Sequence, residues 1–296
     1  MKRQGRHRRR SLFFRRAAIL LTGAAIVIAA GWGGMQALRL AEPVLSSLPQ
    51  PLSALSFAQD SSLTPASPDS ETVRQLRELA GGEPRLQEIA DNSGEYPEEL
   101  LRMLVKNMDM LDFVLGYPER RGEADENAVV ETGTGGVPLL LQYDPRWGYG
   151  RYGDSILAVN GCGPTCLSMV AAALTGDGTA TPYRIAQYAD SHGYYAVGAG
   201  TSWSLMTEGC ASFGLCGEEL PLSESGMQRA LEEGRLIICS MGPGDFTTSG
   251  HFIVLTGYGD GGFSVHDPNS RERSAQTWDY ERLAPQIRNL WAFSAA

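Results

Sequence analysis

The sequence around Cys162 has the features of a nucleophilic cysteine. Cys162 stands in the segment Asn160-Gly-Cys-Gly-Pro-Thr-Cys, and the apolar residues that follow predict a buried helix beginning at this turn. The dipole and free backbone N–H groups at the start of a helix stabilise a thiolate, which is the reactive form. The flanking glycines leave the sulfur accessible to a substrate backbone. Cys166, one helical turn further along, is expected to be buried and unreactive.

A cysteine nucleophile also needs an imidazole base and an acceptor that orients this base. His251 is followed by an apolar run that predicts a strand, which would hold the imidazole at the edge of a cleft. The next predicted strand ends in His266 and Asp267. Adjacent strand residues face opposite sides, so only one of these two can reach His251, and a hairpin of the two strands places Asp267 beside it. His7 and His192 lie in a basic head and in a loop, and neither is expected to take part.

Four motifs resemble those of a known family. They are Val137-Pro-Leu-Leu-Leu-Gln-Tyr-Asp, Asn160-Gly-Cys-Gly-Pro-Thr, Gly250-His-Phe-Ile-Val-Leu-Thr-Gly and His266-Asp-Pro. Residues 137–296, which contain them, resemble the papain-like peptidases related to the bacteriocin-processing, double-glycine-leader peptidases. The motifs also occur in that family's order.

The resemblance implies a role for four residues. Cys162 would be the nucleophile, His251 the general base and Asp267 the residue that orients the base. Gln142 would donate its side-chain amide to the oxyanion, alongside the backbone N–H of Cys162. The implied fold is α+β, with a helix carrying Cys162 packed against an antiparallel sheet carrying His251 and Asp267. Cleavage of double-glycine leaders is not implied, because those enzymes are fused to transporters in the cytoplasm and this chain has neither feature.

Each of these residues has a structural explanation as well. A cysteine at a helix start is often just a small buried residue, and a histidine can simply end a strand. An aspartate before proline is a common turn former, and a polar residue such as Gln142 commonly follows an apolar run. Zinc binding through Cys162 and Cys166 would need a second ligand pair at suitable spacing, which the sequence lacks. We therefore expect no metal and no cofactor.

The three remaining cysteines have no place in this chemistry. Cys239 lies in the apolar stretch Leu236-Ile-Ile-Cys, which predicts a buried strand. Cys210 and Cys216 are close enough in sequence for a disulfide, which an extracellular location would allow.

Charge is distributed very unevenly along the 296 residues. Residues 1–39 contain nine of the 25 Lys and Arg residues and no acid, so the rest of the chain has 16 bases against 34 acids. An acidic domain is repelled by nucleic acid, which we exclude as a partner.

Eight of these nine basic residues precede an uncharged apolar segment of 22 residues, 17–38, which is long enough to cross a bilayer. The positive-inside rule then places residues 1–16 in the cytoplasm and the acidic remainder outside. A cleaved signal peptide is the alternative, and it gives the same location for residues beyond 40.

The rest of the chain is expected to contain four segments. Residues 39–69 are rich in Pro, Ser and Ala and predict a flexible linker, and 70–120 predict short amphipathic helices forming a collar or prodomain. Residues 121–136 are polar and Gly-rich, a second linker, and 137–296 form the candidate peptidase domain.

The sequence thus predicts a single-pass membrane protein whose extracellular domain hydrolyses peptide bonds through a thioester intermediate on Cys162. The partners would be a peptide or protein substrate and the membrane. Two alternatives remain open: a cell-wall peptide amidase or acyltransferase using the same site, and a peptide-binding module without turnover.

Overall fold

A computed structural model of the protein describes residues 63–133, 135–259 and 261–296. The basic head, the apolar segment 17–38 and most of the linker 39–69 lie outside the described residues. Within the described part of the chain, no helix is both long enough and apolar enough to cross a membrane.

Short helices fill the collar region, as the spacing of its apolar residues predicts. Ser70 caps the first helix by accepting a hydrogen bond from the backbone N–H of Val73, and Pro84 stands at the start of the second. The α-helices are α1 (Glu71–Leu79), α2 (Pro84–Asp91), α3 (Glu98–Lys106), α4 (Leu111–Leu115) and α5 (Tyr117–Arg120).

The collar shares a hydrophobic core with the following domain. Its buried side chains pack with residues from the segment that leads to Cys162, including Leu141, Tyr149 and Ala158. Phe113 of the collar stacks on Tyr149 with ring centroids 4.0 Å apart, and the Tyr149 hydroxyl donates to the Phe113 carbonyl at 2.8 Å. The collar therefore buries apolar surface that the domain would otherwise expose.

The segment 121–136 is attached to the domain over part of its length. Ala128 and Val130 are buried in the main core, and the N–H of Val130 donates to the carbonyl of Gly178 at 2.8 Å. This segment contains no helix or strand among its described residues, which agrees with its polar, Gly-rich sequence.

One six-stranded antiparallel sheet organises the domain. Its strand order is β5-β10-β6-β7-β8-β9, and two small ribbons, β1-β2 and β3-β4, lie apart from it. The strands are β1 (Arg151–Tyr152), β2 (Ser155–Ile156), β3 (Tyr195–Ala196), β4 (Gly200–Thr201), β5 (Leu215–Glu219), β6 (Leu236–Met241), β7 (His251–Gly259), β8 (Gly262–His266), β9 (Thr277–Trp278) and β10 (Ile287–Ala295).

Helices cover both faces of the sheet, and the mixed helix-and-sheet architecture expected from the sequence is confirmed. Helix α7 (Cys162–Thr175), the longest among the described residues, packs with apolar residues of β6, β7 and β10 in one buried cluster, and a second cluster lies on the opposite face. The remaining helices are α6 (Leu157–Asn160), α8 (Pro182–Ser191), α9 (Ser204–Thr207), α10 (Glu224–Glu232), α11 (Arg271–Ser274) and α12 (Tyr280–Leu283).

Candidate active site

Cys162 is the first residue of α7, with Gly161 as the N-cap. The helix begins at the turn that the sequence predicts, and Pro164 fits inside the first helical turn because no backbone N–H is needed there. Cys162 is partly exposed, whereas Cys166 is fully buried and burial raises the pKa of the Cys166 thiol well above its ordinary value. The two thiols thus differ in accessibility as expected.

His251 and Asp267 form a buried pair on the β7-β8 hairpin. The register pairs Val254 with His266, so Asp267 lies opposite Ile253 and diagonally across from His251 on the same face. The distance from His251 Nε2 to Asp267 Oδ1 is 2.8 Å, and the two residues are 8% and 0% exposed. His266 faces the other way, into a cleft of about 690 Å³ lined by the C-terminal part of α7.

The imidazole of His251 lies between the carboxylate and the thiol. Burial lowers the pKa of His251, but the Asp267 carboxylate and a hydrogen bond with Cys162 outweigh burial and raise it to about 10. His251 Nε2 is hydrogen-bonded to Asp267. Nδ1 is therefore the ring nitrogen available to the sulfur of Cys162. An imidazolium at neutral pH is the partner that stabilises a thiolate.

Asp267 is held by more groups than the sequence indicates. Burial raises the pKa of this carboxyl, but His251 and Arg273 together lower it below its ordinary value. The Nε of Arg273 donates to Asp267 Oδ2 at 2.5 Å, and the N–H of Asn269 donates to Oδ1 at 2.7 Å. Sequence analysis misses Arg273, and the only local signal is a cluster of Arg and Glu just after the Asp-Pro pair.

Gln142 contacts the turn that leads to Cys162, but its side-chain amide is already hydrogen-bonded there. The side chain is buried, and Nε2 donates to the carbonyl oxygens of Ala158 at 2.7 Å and Val159 at 3.4 Å. These carbonyls belong to α6, the turn that leads to Cys162. The structure therefore does not show a free Gln142 amide facing the thiol, and its part in an oxyanion hole stays a prediction.

The loop before His251 is anchored to the far side of the sheet. Asp245 in this loop accepts two hydrogen bonds from Arg282, each 2.9 Å long, and one from Gln286 at 2.8 Å. The loop fixes the start of β7, and thereby the backbone of His251.

The remaining sequence candidates lie apart from this group or have other partners. His192 ends α8, where its Nδ1 lies 2.9 Å from the Tyr188 carbonyl. Cys210 and Cys216 are both free thiols, the first buried and the second exposed, so the disulfide considered from the sequence is not formed. No cluster of three or more potential metal ligands occurs in the described part of the chain.

Comparison with known families identifies the family of this chain. The model of the Peptidase_C39 like family matches residues 135–293, more than half of the chain and all four motifs. This chain belongs to the Peptidase_C39 like family. The resemblance inferred from the motifs is confirmed, and the family match begins within two residues of the boundary at 137 that the sequence predicts. No curated protein matches the chain.

Proposed function

We propose that this member of the Peptidase_C39 like family is a cysteine peptidase with a papain-like fold, acting through Cys162, His251 and Asp267. The observation that carries the proposal is the His251 imidazole, which contacts the partly exposed thiol of Cys162 and bonds the buried carboxylate of Asp267 at 2.8 Å. A nucleophile, a base and an orienting acceptor in one chain of contacts are what thiol catalysis requires.

The reaction runs in two steps. His251 holds the proton from Cys162 while the thiolate attacks the carbonyl carbon of a peptide bond. The oxyanion is stabilised by the backbone N–H of Cys162, at the start of α7, and by Gln142. His251 returns the proton to the leaving amine as the C–N bond breaks and leaves a thioester. Water, deprotonated by His251, then attacks the thioester, and the acid and the free thiol are released.

Replacement of each cysteine tests the assignment of the nucleophile. We expect full-length Cys162→Ala protein in detergent to lose both peptide hydrolysis and rapid iodoacetamide labelling, while its fold is retained. Cys166→Ser keeps the chemistry but loses stability, because it places a hydroxyl in a packed core. Since Cys216 is exposed and also labels, the experiment uses a Cys216→Ser background and locates the label by peptide mapping. Hydrolysis by the Cys162→Ala protein would refute the proposal.

Replacement of histidines tests the base independently. In the wild type, we expect iodoacetamide to alkylate Cys162 rapidly at pH 7, because an adjacent imidazolium stabilises a thiolate. His251→Ala slows this alkylation, whereas His266→Ala leaves its rate unchanged because His266 faces away from the site. Slower alkylation in His266→Ala but not in His251→Ala would reverse the assignment.

The products distinguish the remaining activities. Incubation with a peptide library, followed by mass spectrometry of new termini, identifies a peptidase, and assays on cell-wall peptides identify an amidase or acyltransferase. A binding module without turnover gives no product and no fast-labelling thiol.

The proposed location is the outer face of the cell membrane, with residues 17–38 as the anchor. This proposal rests on the nine basic residues in 1–39 and on the uncharged segment that follows Arg16. Protease added to intact cells should degrade the domain, and a cell fraction washed with carbonate should retain it. Release of an intact, shortened domain into the medium would instead indicate a cleaved signal peptide.

A further inference from the structure

The carboxylate of Asp267 is completely buried and is shared between two cationic side chains. His251 Nε2 approaches Oδ1 at 2.8 Å, and Arg273 Nε bonds Oδ2 at 2.5 Å. A buried anion is costly unless each oxygen has a partner, and loss of one partner leaves an uncompensated charge. The two oxygens of Asp267 thus have separate partners with separate functions.

Arg273 is itself held in place. It lies on α11, which Ser270 caps, and its carbonyl accepts a hydrogen bond from Trp278 Nε1 at 3.0 Å. Its guanidinium lies 6.0 Å from the centre of the Phe246 ring, in the loop that precedes His251. The side chain is 24% exposed, so the outer edge of the guanidinium reaches solvent. These contacts direct the inner Nε at the carboxylate.

We propose that Arg273 is a positioning residue of the peptidase site, which holds Asp267 ionised and leaves only Oδ1 for His251. The proposal rests on the function proposed above. During the cycle His251 alternates between charged and neutral, and a buried carboxylate paired with histidine alone would lose its counter-charge at each neutral step. Arg273 stays charged throughout and keeps the anion in the same orientation.

A fixed cation at this position also sets the pH range of the site. The titratable and charged groups that interact with His251 or Asp267 are Cys162 and Cys166 of α7, Tyr143 beside Gln142, and Arg273 of α11. Removal of one positive charge raises the proton affinity of every nearby group, so both limbs of a pH profile move in the same direction.

The experiment compares full-length Arg273→Gln, Arg273→Lys and Arg271→Gln proteins in the Cys216→Ser background. Arg271 is exposed on the same short helix, so Arg271→Gln removes an equal charge without touching Asp267. For each variant, the rate of Cys162 alkylation and kcat/KM for a cleaved peptide are measured from pH 4 to 10.

For Arg273→Gln we expect the midpoints of the acidic and the alkaline limbs of the pH profile of kcat/KM to rise by about 0.5–1 pH unit. We also expect kcat to fall. Arg273→Lys keeps the charge and should hold its midpoints within about 0.3 units, and Arg271→Gln should resemble the wild type. Unshifted midpoints in Arg273→Gln, whatever its total activity, would mean that Arg273 only stabilises the fold. If Arg273→Gln does not fold, Arg273→Lys decides: a shift of about 0.5 pH units or more in the midpoints of its pH profile overturns the proposal. A wild-type protein without fast alkylation would refute the proposed function instead.

A second inference comes from the segment 195–203, which we call the cleft lip. The lip packs on the residue after the nucleophile, because a Cβ added at Gly163 would lie 2.7 Å from the Thr201 side chain. It contains no charged residue, yet Val197 is 75% exposed and Trp203 is 47% exposed. Trp203 also contacts Trp291, with ring centroids 5.6 Å apart.

The lip contacts the helix of Cys162 at Gly163 and, through Trp203 and Trp291, packs on the sheet face that includes Phe252. Trp291 is 6.4 Å from the ring of Phe252, the residue after His251. An extended peptide advances about 3.3 Å per residue, so side chains within about three residues of the scissile bond are in range of the lip. We infer that the cleft lip binds a bulky apolar side chain of the substrate polypeptide within that range. This inference also rests on the proposed function.

Peptide-library profiling of Trp203→Ser and Val197→Ser, with Leu222→Ser as control, tests the inference. Leu222 is an exposed apolar residue of similar exposure to Trp203, located just before α10. We expect wild-type and Leu222→Ser proteins to favour Leu, Met, Phe or Trp near the cleaved bond, and the lip variants to lose this preference by about tenfold. Alkylation of Cys162 should be unchanged in all of them. An unaltered preference in both lip variants would refute the inference, whereas absence of any cleavage by the wild type would refute the proposed function.

Discussion

At the scale of single residues, the amide of Gln142 holds the α6 turn and is also an oxyanion donor in the proposed mechanism. It donates to the Ala158 carbonyl at 2.7 Å and to the Val159 carbonyl at 3.4 Å, and we propose that the longer of these two contacts is exchanged for the substrate oxyanion. The buried Oε1 has no hydrogen-bond partner among the described residues, and reversing the amide would set an oxygen against those carbonyls. The orientation of the amide is therefore fixed, with its N–H groups toward the turn that carries Cys162.

We expect Gln142→Ala to lower kcat by about 10²-fold, because one oxyanion donor is lost. Iodoacetamide alkylation displaces iodide and forms no oxyanion, so the labelling rate of Cys162 should stay within about twofold of the wild type. Single-turnover kinetics and labelling on the same preparation measure both quantities. Full kcat combined with a lower thermal midpoint would show that Gln142 only ties the turn.

The site residues differ in how far sequence could identify them. Cys162 and His251 have local signatures, a glycine-flanked helix start and an apolar strand, and the structure brings them together as expected. Asp267 could be assigned from the sequence because adjacent residues of a strand point to opposite faces of the sheet. Only one of His266 and Asp267 can therefore face His251. Arg273 could not be assigned, because its contact with Asp267 depends on the bend of the chain into α11, which a polar stretch does not reveal.

At the scale of secondary-structure elements, the collar packs against the segments that carry the candidate active-site residues. Its helices enclose a core with Leu141 and Ala158, which flank Gln142 in sequence and space, and Asn107 Nδ2 donates to the Asn269 carbonyl at 2.6 Å. Asn269 is two residues from Asp267. The spacing of apolar residues in 70–120 indicates the helices and which of their faces are buried. The surface that covers those faces comes from residues further along the chain, so the sequence of the collar alone could not predict it.

We expect the collar to be required for activity. A site-specific protease sequence inserted within 132–136 should allow cleavage without dissociation, because apolar residues of both parts share one core. Activity should be retained after cleavage under native conditions and should be lost when the pieces are separated in denaturant. Leu104→Ala, in the same core, should lower the free energy of unfolding by about 2–5 kcal/mol. An increase in activity on removal of the collar would identify it as an inhibitory prodomain.

At the scale of the whole molecule, the pair of His251 and Asp267 makes stability depend on pH. The pKa of His251 is raised to about 10 in the folded chain, so folded protein retains a proton that unfolded protein loses above pH ~6.5. Its contribution is therefore complete below that pH and is lost as the pH rises toward 10. The pKa of Asp267 is lowered, so its contribution is present above pH ~4 and is lost as the pH falls further.

Denaturant unfolding of the full chain in a Cys162→Ala background measures this dependence. Relative to His251→Gln, the protein with His251 should have its largest advantage in the free energy of unfolding between pH ~4 and ~6.5, about 2 kcal/mol. This advantage should shrink steadily from pH ~7 to 10, since glutamine does not titrate. A constant difference across this range would show that the imidazole does not gain a proton from the pair.

The order of the strands has a consequence for how the protein is made. β10 comes after every other described strand in the chain, yet it lies inside the sheet, between the edge strand β5 and β6. A chain emerging from the ribosome therefore contains Cys162, His251 and Asp267 before β10 has been made, and until then β5 lacks its neighbour in the sheet. Since β10 also pairs with β6, which pairs with the strand of His251, we expect the proposed activity to appear only once the chain has been made through Ala295.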